Sequence, residues 1–297
     1  MKSLRTDDSR FENLPDFPFQ PNYISDLASY EGQRIHYLDE GRGDASQPTY
    51  LCLHGEPTWS YLYRRMIPEF TAAGGRAIAP DLLGFGRSDK PVSEDVYGFH
   101  FHRNLLLALI ERLNLTNITL VVQDWGGILG LTLPMEMPER FSRLIIMNTV
   151  LATGKTAGEG FNNWRAYVAA NPDLAIGRIM QRSCPHLSDA EIAAYDAPWP
   201  DTTYKAGVRR FPPMVMTDPG MEGVETSKRA LKFWREDWTG ESFMAIGMQD
   251  PVIGPDLMGW MHGNIKNCPP PLEVHDAGHF VQEWGQEVAR AALAHFD

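Results

Sequence analysis

Three side chains able to share one reaction lie far apart in the chain. Asp124 stands in LVVQDWGG (120–127), Asp250 in GMQDPV (247–252) and His279 in AGHFVQE (277–283). Each follows an apolar run, and in open α/β sheets chemistry collects outside the carboxyl ends of the strands. A carboxylate can attack carbon and form an ester. A neutral imidazole can take a proton from water, which then attacks that ester. A second carboxylate fixes the imidazole tautomer and stabilises the imidazolium. Singly, each has a plainer reading: Asp124 as a helix N-cap, Asp250 before Pro251 as a turn former, His279 as a loop histidine. Together, in the order nucleophile, acid, histidine, they read as a catalytic triad.

A carboxylate nucleophile narrows the substrate. Attack on a carbonyl would give a reactive anhydride, whereas attack on sp³ carbon gives a stable alkyl ester. Halide displacement and epoxide opening are then the candidate reactions. A departing halide is a soft anion that needs no proton, so N–H donors in a dry pocket suffice. An epoxide oxygen becomes an alkoxide and wants an acid such as a Tyr hydroxyl. Indole is a donor only, and Trp125 directly follows Asp124. Upstream, HGEP (54–57) closes an early strand. The backbone amides of Glu56 and Trp125 are the expected oxyanion hole. Gly55 and Pro57 also suit a tight turn, and the two readings are compatible. The Glu56 carboxylate is assigned no part.

The elements that must position these groups alternate between strand and helix patterns. Strands are expected at 33–41, 48–55, 76–84, 117–124, 143–150, 241–250 and 271–278. Helical patterns occupy 59–74, 100–114, 126–141, 226–237 and the C-terminal stretch from Glu283. Continuous apolar strands separated by helices imply an α/β fold with a mostly parallel sheet covered on both faces. The rhythm breaks between 151 and 225. That stretch holds short helical pieces, FNNWRAYVAA and SDAEIAAYDA, and the irregular Pro-rich run APWPDTTYKAGVRRFPPM. The expected organisation is a core of 1–150 and 226–297 with an inserted helical cap of 151–225.

Composition excludes several functions. The chain has 297 residues, 43% hydrophobic and 22% charged, as expected of a packed globular protein. A net charge of −11 argues against nucleic acid, which needs clustered Lys and Arg, and gives no pull towards anionic membranes. The N-terminus lacks an apolar signal region, and no apolar run approaches a membrane span. Cys52, Cys184 and Cys268 are scattered and odd in number, which reads as reduced thiols in a cytoplasmic protein. His100 and His102 are close together in GFHFHRN but have no further metal-ligand cluster around them. GFGRSD (84–89) is not a phosphate loop.

Seven stretches carry a resemblance over nearly the whole chain: HGEPTWSYLYR (54–64), DLLGFGRSDKP (81–91), VVQDWGG (121–127), FNNW (161–164), RRFPPMV (209–215), GMQDPV (247–252) and AGHFVQE (277–283). In these the sequence resembles the haloalkane dehalogenases of the α/β-hydrolase superfamily, specifically those with a Trp pair as halide clamp. The D-W-G-G element is shared with epoxide hydrolases; HGEPTWSYLYR and the cap F-x-x-W are more specific. The resemblance implies Asp124 as nucleophile, His279 as base and Asp250 as its partner. It implies Trp125 and Trp164 as halide donors, and Phe161, Phe211 and Pro212 as apolar pocket residues. The implied partners are a small haloalkane, halide and water, with no cofactor or metal, and a monomer is the default expectation. The plainer reading of Trp164, one of eight tryptophans, is a core aromatic on an amphipathic cap helix.

The nearest rival is epoxide hydrolysis, for which the cap offers Tyr167, Tyr195 and Tyr204. A fluoroacetate-type dehalogenase would present Arg near the nucleophile, where Trp125 and Gly126 stand. A non-catalytic ligand binder on the same fold needs no base with a partner carboxylate.

Overall fold

The computed structural model describes residues 1–41 and 47–297. Short strands β1 (Ser3–Leu4) and β2 (Asn22–Ile24) precede β3 (Ile35–Glu40), β4 (Thr49–Leu53), helix α1 (Ile67–Ala72) and β5 (Arg76–Pro80). After β6 (Lys90–Pro91), which pairs with β1, come α2 (Phe99–Arg112), β7 (Ile118–Val122), α3 (Asp124–Gly130) and β8 (Phe141–Met147). Five helices follow without an intervening strand: α4 (Glu159–Ala170), α5 (Ile176–Ser183), α6 (Asp189–Asp196), α7 (Ala206–Met214) and α8 (Val224–Glu236). The chain ends with β9 (Glu241–Gly247), α9 (Pro255–His262), β10 (Leu272–Val274) and α10 (Gly285–Phe296).

Among the described residues the main sheet has eight strands in the order β10-β9-β8-β7-β4-β5-β3-β2. All neighbours from β10 to β5 are parallel, and β3 runs antiparallel to both β5 and β2. The continuous apolar runs are explained by burial on both faces. Leu51, Leu53, Leu120, Val122, Leu144 and Ile146 face one core, and the intervening Tyr50, Cys52, Val121, Ile145 and Met147 face the other. Register then aligns the strand ends. Leu53 sits opposite Val122, Val122 opposite Ile146, Met147 opposite Ala245, and Gly247 opposite Val274. The residues just beyond those pairs therefore gather along one edge of the sheet.

All seven expected strands form, each shorter than its apolar run. Three helix expectations need correction. The pattern at 59–74 forms a 3-10 turn at Ser60–Tyr63 and α-helix only at Ile67–Ala72, with Pro68 in the first turn of α1. The pattern at 126–141 continues as helix only to Gly130. Pro134 disfavours helical backbone in the residue before it, and the Leu131 carbonyl instead accepts from the Trp234 indole at 2.7 Å. Conversely, the Pro-rich run expected to be irregular contains α7, with Pro212 and Pro213 inside it. Both prolines fall in its last turn, so each gives up only its own bond to the carbonyl four residues back and the helix ends directly after them. Val208, Phe211 and Met214, at helical spacing, bury its inner face.

Candidate active site

Asp124 follows β7 in a sharp turn and has φ of 48°. The turn is tight because its neighbours have no side chains: a β-carbon at Gly126 would collide with the Leu53 carbonyl, and one at Gly127 with Thr149. Close backbone approach of this kind is what glycine permits. The Asp124 N–H donates to the Asn148 carbonyl at 3.0 Å, and the Thr149 hydroxyl donates to the Asp124 carbonyl at 2.6 Å. Its carboxylate does not cap α3, whose N-cap is Gln123 with no side-chain cap bond. Instead Asp124 Oδ1 accepts the Glu56 backbone N–H at 2.8 Å. Gly55 makes room for that contact, since a β-carbon there would overlap the carboxyl group.

His279 bridges the two aspartates. Its Nδ1 lies 2.7 Å from Asp250 Oδ2, and its Nε2 lies 3.5 Å from Asp124 Oδ2. A carboxylate can only accept, so Nδ1 carries a proton toward Asp250, and Nε2 faces the Asp124 carboxylate. The Asp250 side chain is fully buried, and its Oδ1 accepts from the backbone N–H groups of Val252 at 2.8 Å and Ile253 at 3.0 Å. Asp250 thus both closes the turn before Ile253 and contacts the histidine ring. Burial works to raise the Asp250 pKa, but the charge and hydrogen bond of His279 and the two amides outweigh it and bring it to about 2. Burial works to lower His279. The charge of Asp250 and the hydrogen bonds to Asp124 and Asp250 reverse this and raise it to about 10.

Asn148 is the residue that sequence reading missed. It lies just beyond β8, and its Nδ2 donates to Asp250 Oδ2 at 2.9 Å, to the Gly247 carbonyl at 3.1 Å and to the Ile253 carbonyl at 3.0 Å. Its Oδ1 accepts the Gly247 N–H at 2.8 Å. With its own carbonyl on the Asp124 N–H, it ties both carboxylates to one strand end. The available signal was an amide side chain ending a continuous apolar run beside the Asp124 strand. Replacing Asn148 with Leu strands several buried polar groups. It should cost at least about 2 kcal/mol of stability and lower kcat. Denaturant unfolding and turnover both unchanged would refute this role.

Above the triad lies a cavity of about 900 Å³, whose lining includes Glu56, Trp125, Phe161, Trp164, Pro212 and Phe280. Trp125 is 2% exposed, and its indole N–H donates to no acceptor among the described residues. Trp164, on α4, lines the same cavity as Glu56. Phe161 and Pro212 line the cavity. Phe211 does not line the cavity; it packs edge-on behind Trp125, ring centroids 4.8 Å apart, because the α7 face it occupies turns into the core.

The three tyrosines of 151–225 separate. Tyr167 lines the cavity. Tyr195 is buried and donates to Glu283, away from the cavity, and Tyr204 lies outside the lining. The paired acids that epoxide opening would use are thus not brought together. His102 is buried against Tyr97 and Phe211, while His100 is partly exposed. No cluster of three metal-ligating side chains occurs among the described residues.

Comparison with known proteins agrees with this geometry. The family model for the alpha/beta hydrolase fold matches residues 48–286. A haloalkane dehalogenase of Psychrobacter cryohalolentis is 44% identical, the match covering 98% of this chain and 96% of the relative. One of Mycolicibacterium paratuberculosis is 41% identical, covering 99% and 98%. The solved haloalkane dehalogenase DpaA of Paraglaciecola agarilytica, described as tetrameric, superposes with a TM-score of 0.97 at 52% identity, covering 99% of this chain and 98% of that one. Relationship at this level over nearly the full length shows that the chain belongs to the haloalkane dehalogenases, hydrolases that act on carbon–halide bonds.

Proposed function

We propose that Asp124 is the nucleophile of this dehalogenase, His279 its base and Asp250 the partner that holds the base. The observation carrying the proposal is the single imidazole spanning Asp250 and Asp124 at the floor of an apolar cavity. Asp124 attacks the halogen-bearing carbon in line, forming an alkyl ester as the carbon–halogen bond breaks. The departing halide is received by the indole N–H groups of Trp125 and Trp164. His279 then takes a proton from water, and the resulting hydroxide attacks the ester carboxyl carbon. The oxyanion is held by the amides of Glu56 and Trp125; in the resting site the Glu56 amide already points at Asp124 Oδ1. Alcohol, halide and a proton leave.

Residues 151–225 are proposed as the cap over this site, supplying Phe161, Trp164 and Pro212 to the lining. Residence in the cytoplasm is supported by the unpaired Cys52, Cys184 and Cys268. No helix among the described residues is long and apolar enough to cross a membrane. The monomer expectation has a rival in the tetramer described for the Paraglaciecola relative, and light scattering on the purified protein decides between them.

The direct test is halide and proton release from terminal bromoalkanes and chloroalkanes beside an aromatic epoxide. Prompt bromide release with the epoxide untouched is expected. Trp164→Phe keeps most of the packing and loses one donor. It should weaken halide quenching of tryptophan fluorescence and lower turnover about tenfold or more, one lost hydrogen bond to a charged group being worth about 1.5–3 kcal/mol. If quenching and turnover are both unaltered, Trp164 is not part of the clamp.

A further inference from the structure

We propose, on the footing that His279 is the base of the second step, that Gln123 is its positioning residue. The Gln123 amide anchors the main chain of His279 beside the Asp124 turn, and hydrolysis of the ester depends on that anchor where displacement of halide does not.

The chain around His279 is held on both sides by backbone bonds. The Ala277 carbonyl accepts the Gln249 N–H at 2.9 Å, and the Phe280 carbonyl accepts the Glu283 N–H at 3.0 Å. Between them the main chain of His279 makes one hydrogen bond among the described residues, and its partner is a side chain: Gln123 Nε2 donates to the His279 carbonyl at 3.0 Å. Gln123 immediately precedes Asp124. It is fully buried and does not line the cavity, so it acts on the site only through what it holds.

The direction of this bond is fixed from behind. A carbonyl only accepts, so Gln123 turns its NH₂ to His279 and its oxygen away. That oxygen takes a longer bond, 3.4 Å, from Gln282 Nε2, which also lies 3.5 Å from the Tyr63 hydroxyl. The hydroxyl donates to the Leu53 carbonyl at 2.8 Å, so toward Gln282 it can only accept. Gln282 and Tyr63 are both fully buried, and Gln282 Oε1 has no partner among the described residues. An unpaired interior acceptor works against stability, which sets this relay apart from ordinary core packing.

The two steps depend on the anchor unequally. Asp124 is held by the Asn148 carbonyl, the Thr149 hydroxyl and the Glu56 N–H, none of which involves the Gln123 side chain. Without the amide, displacement keeps its nucleophile. His279 keeps Asp250 at its ring but loses the fixed point of its main chain, and the water it activates is misplaced. A misplacement of about 1 Å costs up to about 10²-fold in rate.

The test is rapid quench with a bromoalkane on the full-length enzyme and Gln123→Met, which keeps length and loses the amide. Ester formation should stay within about twofold of native, and ester hydrolysis should slow about tenfold or more. In the steady state kcat and KM should fall together while kcat/KM, set by displacement, holds. Gln123→Glu can donate one hydrogen bond to the same carbonyl as the neutral acid and none when ionised. It should therefore hydrolyse the ester faster than Gln123→Met at the acid end of the pH range. If the Gln123 variants fail to fold, Gln282→Met removes the support behind the amide and should slow hydrolysis in the same sense by a smaller factor. Equal slowing of both steps, or unchanged hydrolysis, overturns the proposal. Absence of any alkyl ester in the native protein and in His279→Gln would instead remove the two-step reading itself.

Discussion

Replacing His279 with Gln should trap the enzyme as its alkyl ester. Displacement needs the Asp124 carboxylate and a receiver for halide; only hydrolysis needs a group that takes a proton from water. Glutamine can keep a hydrogen bond to Asp250 but cannot serve as the base. Loss of general-base assistance slows a step by about 10²–10⁴-fold. Mixed with a bromoalkane, the variant should therefore gain the mass of one alkyl group per chain and release one equivalent of bromide. An unmodified mass would refute His279 as the base of the second step. The pH dependence has a defined sign. In the free enzyme burial favours neutral His279, but the charge of Asp250 and the bonds to Asp124 and Asp250 hold its proton up to about 10. Esterification removes the Asp124 charge, so the imidazole loses its proton more easily just when it must act as a base. Decay of the alkyl-enzyme in the native protein, followed by rapid quench, should rise with pH with a midpoint below that of the free enzyme. A midpoint as high as in the free enzyme would contradict this account.

The parts legible in the sequence were those governed by local pattern. β4 and β7 are apolar at almost every position because the sheet is covered on both faces, and that leaves a one-dimensional signature. The site edge could be read because three polar side chains interrupt such signatures at strand ends. Asn148 ends β8 in the same way, but an amide has many structural uses, and only the register of β8 between β7 and β9 reveals that it serves both carboxylates. Glu56 was legible as backbone, through the turn its neighbours make, and not as a side chain, because its burial depends on how distant segments pack over it. Phe211 was assigned to the pocket by resemblance; which side of α7 faces the cavity depends on helix rotation, and Pro212 took that side. The short helix α5 (Ile176–Ser183) escaped notice while α6, equally short, was read, because α6 opens on the Ser188–Glu191 capping box and α5 opens on Ala175, which offers no side-chain cap.

A second large effect is expected at Arg64, outside the cavity. Arg64 is 1% exposed and donates to both oxygens of Glu283, at 2.7 and 2.9 Å, and to Glu191 at 2.8 Å. Its guanidinium lies 4.2 Å from the Tyr61 ring centroid. Glu283 belongs to the turn Val281–Trp284 just after His279, and Glu191 to α6, whose capping box with Ser188 it completes. One cation thus joins the segment following β4, the histidine-bearing segment and α6. Arg65 reaches the same two carboxylates, with its Nε 3.0 Å from Glu283, but is partly exposed. Arg64→Met leaves Glu283 buried with most of its compensation gone. Breaking one side of a buried pair costs about 3–5 kcal/mol, which for a chain of this size lowers Tm by roughly 10 °C. Adding Glu283→Leu removes the stranded charge and should return much of the loss, since apolar replacement of a buried pair is often near neutral. The acid limb discriminates further. Burial works to raise Glu191, but hydrogen bonds from Arg64 and Ser188 bring it down to about 2. A depressed carboxylate contributes stability above its unfolded pKa, and that contribution is lost as pH falls from about 4.5 through about 2. Calorimetry across that window should show a shallower loss in Arg64→Met than in the native protein. Parallel curves, or an unchanged Tm at neutral pH, would mean that Arg65 alone holds the two glutamates and that the histidine segment owes nothing to Arg64.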